Sequence, residues 1–320
     1  MSSILVFPGQ GSQSVGMGRE LYDNSSAARK VFDEVDAALT GPHDYALNEG
    51  RKLSDIIFNG TMDDLTLTAN VQPAIFAVSM AMLFAKIERD GPIAFGYVAG
   101  HSLGEYTALC AAGAMSVADT ARLLRLRGDA MQAAVPVGLG MVSVILGLDI
   151  DKVKEICAAA ESETNSRHAS RVTRHVVEVA NDNAPGQVVI SGNKEAVEIA
   201  MELAKAAGAK RAMQLPLSAP VHCSLQAKTA DVMRAALAEI DMKAPHVPFI
   251  SNKTAATITD VNEIKDALAF QITHGVRWRE TILGLPALGI TETVEVGPGN
   301  VLTGLTPRIA SELAARKLEV

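Results

Sequence analysis

In AGHSLGEY, Ala99 to Tyr106, a serine stands between two glycines as Gly100-His101-Ser102-Leu103-Gly104. G-x-S-x-G is weak by itself, because short glycine turns are common, and it gains meaning from its flanks. Phe95 to Ala99 has strand character and Leu103 to Ala112 has helical character. In a strand-turn-helix context the glycines permit a tight bend, and the serine hydroxyl projects from its apex. A helix starting at Leu103 also aims its unbonded amides and positive dipole end at the serine, which suits a developing oxyanion.

A serine hydroxyl is hardly ionised at neutral pH and needs a base. Seven histidines are available. His43, His168, His175 and His274 lie in polar or loop-like surroundings and read as surface residues, and His246 precedes a proline with no evident partner. His101 adjoins the serine, but neighbouring side chains at a sharp turn diverge, so it is expected to shape the pocket. His222, in LPLSAPVHCS, falls where the pattern of elements changes, and such junctions form clefts. It is the candidate base.

A second glycine turn ends the first strand, in ILVFPGQGSQSVGMG, Ile4 to Gly18. It lacks the third glycine of the dinucleotide fingerprint, having Ser14 at that place after Gly9 and Gly11, and no Lys-Ser or Lys-Thr pair closes a P-loop. The turn is not a nucleotide cradle. Strand ends of a parallel sheet converge on one edge, so Gln10 is expected beside the serine turn.

The elements that must position these residues alternate. Ile4 to Phe7 reads as a strand, Arg29 to Leu39 and Val71 to Ile87 as helices, Phe95 to Ala99 as a strand, and Val117 to Ala133 as a helix. This alternation favours a parallel sheet covered by helices. The pattern then becomes strand Met141 to Leu148, helix Asp151 to Ala160, a hairpin of VVEVAN and QVVISGN through DNAPG, helix Glu195 to Ala207 and strand Met213 to Leu217. That is the β-α-β-β-α-β unit of ferredoxin-like domains. Beyond it, helix Cys223 to Ile240, strand Val247 to Ser251, helix Glu263 to Phe270 and strand Glu292 to Val296 resume the alternation. The expected fold class is therefore α/β, a parallel-sheet domain of residues 1–137 and 218–320 with an inserted α+β subdomain of residues 138–217. The polar segment Glu161 to His175 reads as a solvated loop.

Composition bounds the function. The 320 residues are 48% hydrophobic, enough for a substantial core, and the net charge of -7 argues against nucleic acid as the main ligand. Cys110, Cys157 and Cys223 have neither ligand nor disulfide spacing, which fits a reducing compartment and no metal site. No export signal is recognised at the start, and runs such as Ala74 to Phe84 read as too short to span a bilayer, so no membrane insertion is expected and the cytoplasm is the expected location.

FPGQGSQ, VQPAIFA, GHSLGEY, LRLRGDAMQ, NAPGQVVISG, LPLSAPVHCSL and VEVGPGNVLTGL follow one another over nearly the whole chain. Together they resemble the malonyl-CoA:acyl carrier protein transacylases of fatty acid biosynthesis. The resemblance implies a hydrolase-like α/β domain with an inserted ferredoxin-like domain. It also implies an acyltransferase with no cofactor, whose partners are malonyl-CoA and holo acyl carrier protein. By residue match it makes Ser102 the nucleophile and His222 the base, with Gln10 and Leu103 as backbone oxyanion donors. Arg127 becomes the clamp on the malonate carboxylate, Gln271 the residue whose carbonyl orients the histidine, and Gln72 a pocket residue beside His101. Without the resemblance, Arg127 in LLRLRGDAM reads as a snorkelling surface arginine.

Ser102 would attack the thioester, form a malonyl-serine and pass the acyl group to the phosphopantetheine thiol in ping-pong order. No third acid is required if a carbonyl holds the imidazole; Glu155 and Asp182 lie between Ser102 and His222 but lack a matching context. An esterase or thioesterase using the same dyad and a silent carrier-docking domain are the competing readings. Two departures from the family pattern, Asn300 after the late GPG turn and a long 161–175 segment, bear on carrier docking. Lys210, Arg211, Arg277 and Arg279 are basic candidates for it by clustering.

Overall fold

The structure, a computed structural model, describes residues 2–40, 50–136, 138–167 and 174–320. Among the described residues, ten strands form two sheets: β1 Ser2–Phe7, β2 Tyr97–Gly100, β3 Gly140–Leu146, β4 Val177–Ala184, β5 Gln187–Asn193, β6 Arg211–Gln214, β7 Phe249–Ile250, β8 Thr257–Ile258, β9 Ile290–Glu295 and β10 Ala314–Lys317. The larger has the order β10-β9-β1-β2-β7-β8. It is parallel except for the β7–β8 pair at one edge. The smaller, β4-β5-β3-β6, is antiparallel throughout and gives the ferredoxin-like order expected of the inserted segment.

The long helix Thr68–Asp90 is the centre of the large core, with sixteen buried residues. It is longer than the 74–84 run read from the sequence, and by length and composition alone long and apolar enough to cross a membrane, but 89% of that apolar window is buried inside the fold. Burial identifies it as a core helix. Helix Val117–Ala134 packs against it, started by Ser116, whose hydroxyl accepts from the Asp119 amide. A Cβ on Gly128 would lie 2.5 Å from Ala69 Cα. Glycine here lets the two helices touch and brings Arg127 against Gln72.

Several boundaries differ from the sequence reading. The helix from Ile150 runs to Arg167, absorbing half of the expected 161–175 loop, and residues 168–173 lie outside the described residues. Its Thr164 and Cys157 are buried, so the apolar stripe continues beneath a polar surface. The helix expected from Cys223 begins at Ala227, after the short turn Ser224–Gln226, because His222 has φ 54° and Cys223 is extended. Strand β4 extends to Ala184, leaving Pro185-Gly186 as the hairpin turn, and its register shifts at Val179/Asn181 and Asp182/Ala184. Those bulges free Ala180 and Asp182 to pair with Val276 of the larger domain at 2.9 Å each way. Helices Arg19–Asn24, Leu53–Asn59, Met62–Thr66, Trp278–Gly284 and Val301–Ile309, with strands β8 and β10, carry no sequence expectation.

Candidate active site

Ser102 stands between β2 and helix Gly104–Ala111 with φ 56°, a left-handed conformation rare for a residue with a side chain. The turn around it allows no side chain at either glycine. A Cβ on Gly100 would lie 1.9 Å from the Gly104 carbonyl carbon, and one on Gly104 would lie 2.2 Å from Phe7 O. Asn252, just past β7, holds the bend by accepting from Ser102 N at 2.9 Å and donating to Gly100 O at 2.8 Å. Such strain is retained where the surroundings over-determine it.

His222 meets the serine from the far side of the chain. Its Nε2 lies 2.7 Å from Ser102 Oγ and its Nδ1 2.6 Å from Gln271 O. A carbonyl only accepts, so Nδ1 carries the proton and Nε2 is left to accept from the hydroxyl. Burial, then the neighbouring Arg127 charge, lowers the imidazole pKa to about 3, keeping the base neutral. The loop that aims it is tied down by Gln226, whose amide donates to Pro220 O at 2.7 Å, and by Ser191, whose Oγ accepts from Val221 N at 2.9 Å. Glu155 and Asp182 are elsewhere: the first pairs with Lys152, the second with Arg279.

Arg127 is 2% exposed, not a snorkelling surface residue. Its Nη2 donates to Ser102 Oγ at 3.1 Å and Gln271 Oε1 at 2.8 Å, and its Nη1 to Gln72 Oε1 at 2.5 Å. All three acceptors are neutral. Arg125, two residues earlier, also buried, has an aspartate: its Nε is 2.8 Å from Asp129 Oδ2. Among the described residues no carboxylate forms an ion pair with Arg127, which leaves a buried guanidinium ready for an incoming carboxylate. Gln72 is fully buried and reaches the site through Arg127 rather than from the cavity wall.

A cleft of about 110 Å³ opens over the serine, lined on the larger domain by Gly9, Gln10, His101, Ser102 and His222. From the smaller sheet come Val142, Asn181, Asn183 and Val189. His101 points to this second side, its Nε2 2.8 Å from Asn183 Oδ1, and burial lowers its pKa as well. The first glycine turn reaches the elbow as expected, and a Cβ on Gly9 would lie 2.8 Å from His101 O, so the missing side chain admits the elbow. Around the elbow, backbone bonds use the amides of His101, Gly104, Glu105 and Tyr106, and Ser102 N is on Asn252; the Leu103 amide, at the helix start, has no such acceptor among the described residues.

The site thus assembles Ser102, His222, Arg127 and Gln271, with Gln10 and His101 on the cleft. Sequence reasoning missed Asn252, Glu105, Asn181, Asn183 and Gln226. Of the other histidines, His274 is exposed and stacks on Phe270, His175 is half-buried near Glu195, and His246 packs near Phe95. His43 and His168 lie outside the described residues. Of the basic docking candidates, Arg277 pairs with Glu280 and Arg279 with the buried Asp182, while Lys210 and Arg211 are exposed.

An elbow serine paired with a neutral histidine on this two-sheet fold defines an acyl transferase, and the family described as acyl transferase domain matches residues 4–306. A malonyl CoA-acyl carrier protein transacylase of Bacillus subtilis (strain 168) is 43% identical over 314 residues, covering 98% of this chain and 92% of its own. The solved acyl-carrier-protein-S-malonyltransferase of Bartonella henselae is 47% identical with TM-score 0.90, covering 100% of this chain and 96% of its own. A malonyl-transacylase solved in complex with its type II PKS acyl-carrier protein is 37% identical, TM-score 0.90, with 100% and 97% covered. The chain belongs to the malonyl-CoA:acyl carrier protein transacylase family.

Proposed function

We propose that this protein moves a malonyl group from coenzyme A to the phosphopantetheine thiol of acyl carrier protein, supplying fatty acid biosynthesis. The observation that carries the reading is the buried Arg127 guanidinium, without an ion-pair partner among the described residues and 3.1 Å from a serine that is itself 2.7 Å from a neutral histidine. A carboxylate-bearing acyl thioester complements that arrangement, because two charge-assisted bonds to a guanidinium fork distinguish its end from a methyl group.

In this reading Ser102 Oγ attacks the thioester carbon while His222 Nε2 takes its proton. The amides of Gln10 and Leu103 receive the oxyanion. Collapse expels coenzyme A as the thiol, protonated by the imidazolium, and leaves malonyl-Ser102. His222 then deprotonates the carrier thiol, which takes the acyl group and restores the serine. Gln271 O steadies the imidazolium through Nδ1, so no third carboxylate is needed. The division into residues 1–137 with 218–320 and 138–217 belongs to this proposal: the cleft lies between the two sheets, and both must stay in place for it to exclude water. The cytoplasmic setting is proposed too, supported by three buried free cysteines.

Malonyl-CoA alone should add one malonyl group to the intact mass, and holo acyl carrier protein should then remove it to the carrier. Ser102→Ala should show neither event. Rapid loss of the adduct to free malonate without carrier would make the protein a thioesterase, and absence of any adduct on the native chain would make it a docking domain.

A further inference from the structure

Glu105 is fully buried within three residues of the nucleophile, and the proposed reaction gives it no part. Its Oε2 accepts from Gln271 Nε2 at 2.5 Å and its Oε1 from Asn252 N at 2.6 Å. Gln271 is the residue whose carbonyl holds His222, and whose side-chain Oε1 takes Arg127 Nη2. Its amide is therefore clamped between a cation and an anion, with oxygen toward the guanidinium and nitrogen toward the carboxylate, so a flip would turn both bonds into clashes of like atoms. Asn252, the second partner, is the residue that braces the Ser102 bend.

We propose that Glu105 is a positioning residue, the remote counter-charge of Arg127 acting through the Gln271 side-chain amide. The spacing by one amide matters. A carboxylate placed directly on the guanidinium would compete with a substrate carboxylate for it, whereas Arg125 keeps its own partner, with Asp129 Oδ2 on its Nε. A buried guanidinium with no counter-charge would instead be costly and would shift. One intervening amide balances the charge while only the neutral acceptors Gln72, Ser102 and Gln271 sit on the fork, and a substrate carboxylate can displace them. Burial pushes the Glu105 carboxyl up to about 7, while its bonds from Gln271 and Asn252 and the Arg127 charge oppose that rise. Both partners donate, so the ionised form is the one the site fits, and the test is run at pH 8.

The inference rests on the proposed malonyl-serine chemistry. Single-turnover acylation without carrier protein, followed by intact mass for malonyl-CoA and acetyl-CoA, separates the two: failure of the native chain to acylate overturns the function, whereas the variants judge Glu105. Glu105→Gln keeps the shape and removes the charge. Its maximal malonyl acylation rate should fall about tenfold or more, with no rise in the half-saturating malonyl-CoA concentration. Glu105→Asp should recover part of that rate.

Gln271→Glu approaches the same link from the other side. It places a carboxylate on the guanidinium, with the two carboxyls sharing one proton. The half-saturating malonyl-CoA concentration should rise about tenfold or more while that of acetyl-CoA stays put. The inference is overturned if Glu105→Gln acylates at the native rate, or loses rate on both thioesters only in proportion to a lowered Tm. If Glu105→Gln does not fold, unchanged malonyl saturation in Gln271→Glu overturns it alone.

Discussion

The two sheets meet at one cleft but differ in what they bring to it. Every group in hydrogen-bond contact with Ser102 Oγ comes from the larger domain or its return segment: His222 at 2.7 Å and Arg127 at 3.1 Å. The smaller sheet contributes side chains that line the cleft without touching that oxygen, Val142, Val189, Asn181 and Asn183 among them. Reactive groups sit just past the ends of the parallel strands and on helix Val117–Ala134, where close packing holds them in place. The antiparallel sheet is attached through the β4–Val276 contacts and the Asp182–Arg279 pair and supplies a wall. The division teaches that rate and acyl preference should respond to one side, and thioester affinity to the other.

His222→Ala gives the largest effect expected of the variants that keep the nucleophile. Removing the base should lower transfer by roughly two or more orders of magnitude, with circular dichroism unchanged. Measured kcat/KM near the native value would break the comparison at its centre, because the dyad would then be packing and not chemistry.

Arg127 sharpens the comparison by separating preference from rate. Arg127→Ala should lower kcat/KM for malonyl-CoA by about two or more orders of magnitude, while acetyl-CoA, lacking the carboxylate, holds or rises. Arg127→Lys should recover only part of the malonyl rate, since an ammonium keeps the charge without the fork. Equal losses on both thioesters would make Arg127 a support for the fold.

Acid tests the same side without substrate. The His222 pKa is lowered from 6.5 to about 3 in the folded chain, so the unfolded chain binds its proton first. The stability contributed by neutral His222 is whole above pH 6.5 and is lost as pH falls toward 3. Between pH 7 and 4.5 the native chain should lose about 2 to 3 kcal/mol more than His222→Ala in denaturant unfolding. Equal losses would place the imidazole in contact with water.

Ser102 was legible in the sequence because the turn forbids side chains two residues before and two residues after it, at Gly100 and Gly104, and so leaves a glycine signature. His222 was legible only through its place at the change of pattern. The roles of Arg127 and Gln271 came from family resemblance, and the structure brings both beside the dyad, since burial and partners across 55 and 144 positions have no local sign. Glu105 stood in the quoted motif unnoticed: a glutamate in a first helical turn reads as an ordinary dipole partner. Asn252 had only a polar place just past a strand end. The Cys223 helix began late because the left-handed His222 backbone overrode an apolar helical pattern.

Asn183 carries the smallest effect and tests the other half of the comparison. Its Oδ1 accepts a hydrogen bond from His101 Nε2 at 2.8 Å, and both residues line the cleft. His101 makes no contact with Ser102 Oγ, so releasing its ring disturbs the wall and leaves the dyad intact. A neutral hydrogen bond of this kind contributes about 1 kcal/mol, and a half-open cleft lets water replace part of it. Asn183→Ala should therefore raise KM for malonyl-CoA by at most about tenfold and change kcat by no more than about threefold. Val142 and Val189 should keep the remaining wall in place, so Tm should move by only a few degrees. Steady-state kinetics at saturating carrier protein, with Asn183→Asp alongside to restore an acceptor, make the measurement. A kcat loss on the scale of His222→Ala would mean that the smaller sheet takes part in the chemistry, and the separation of reactive edge from wall would fail.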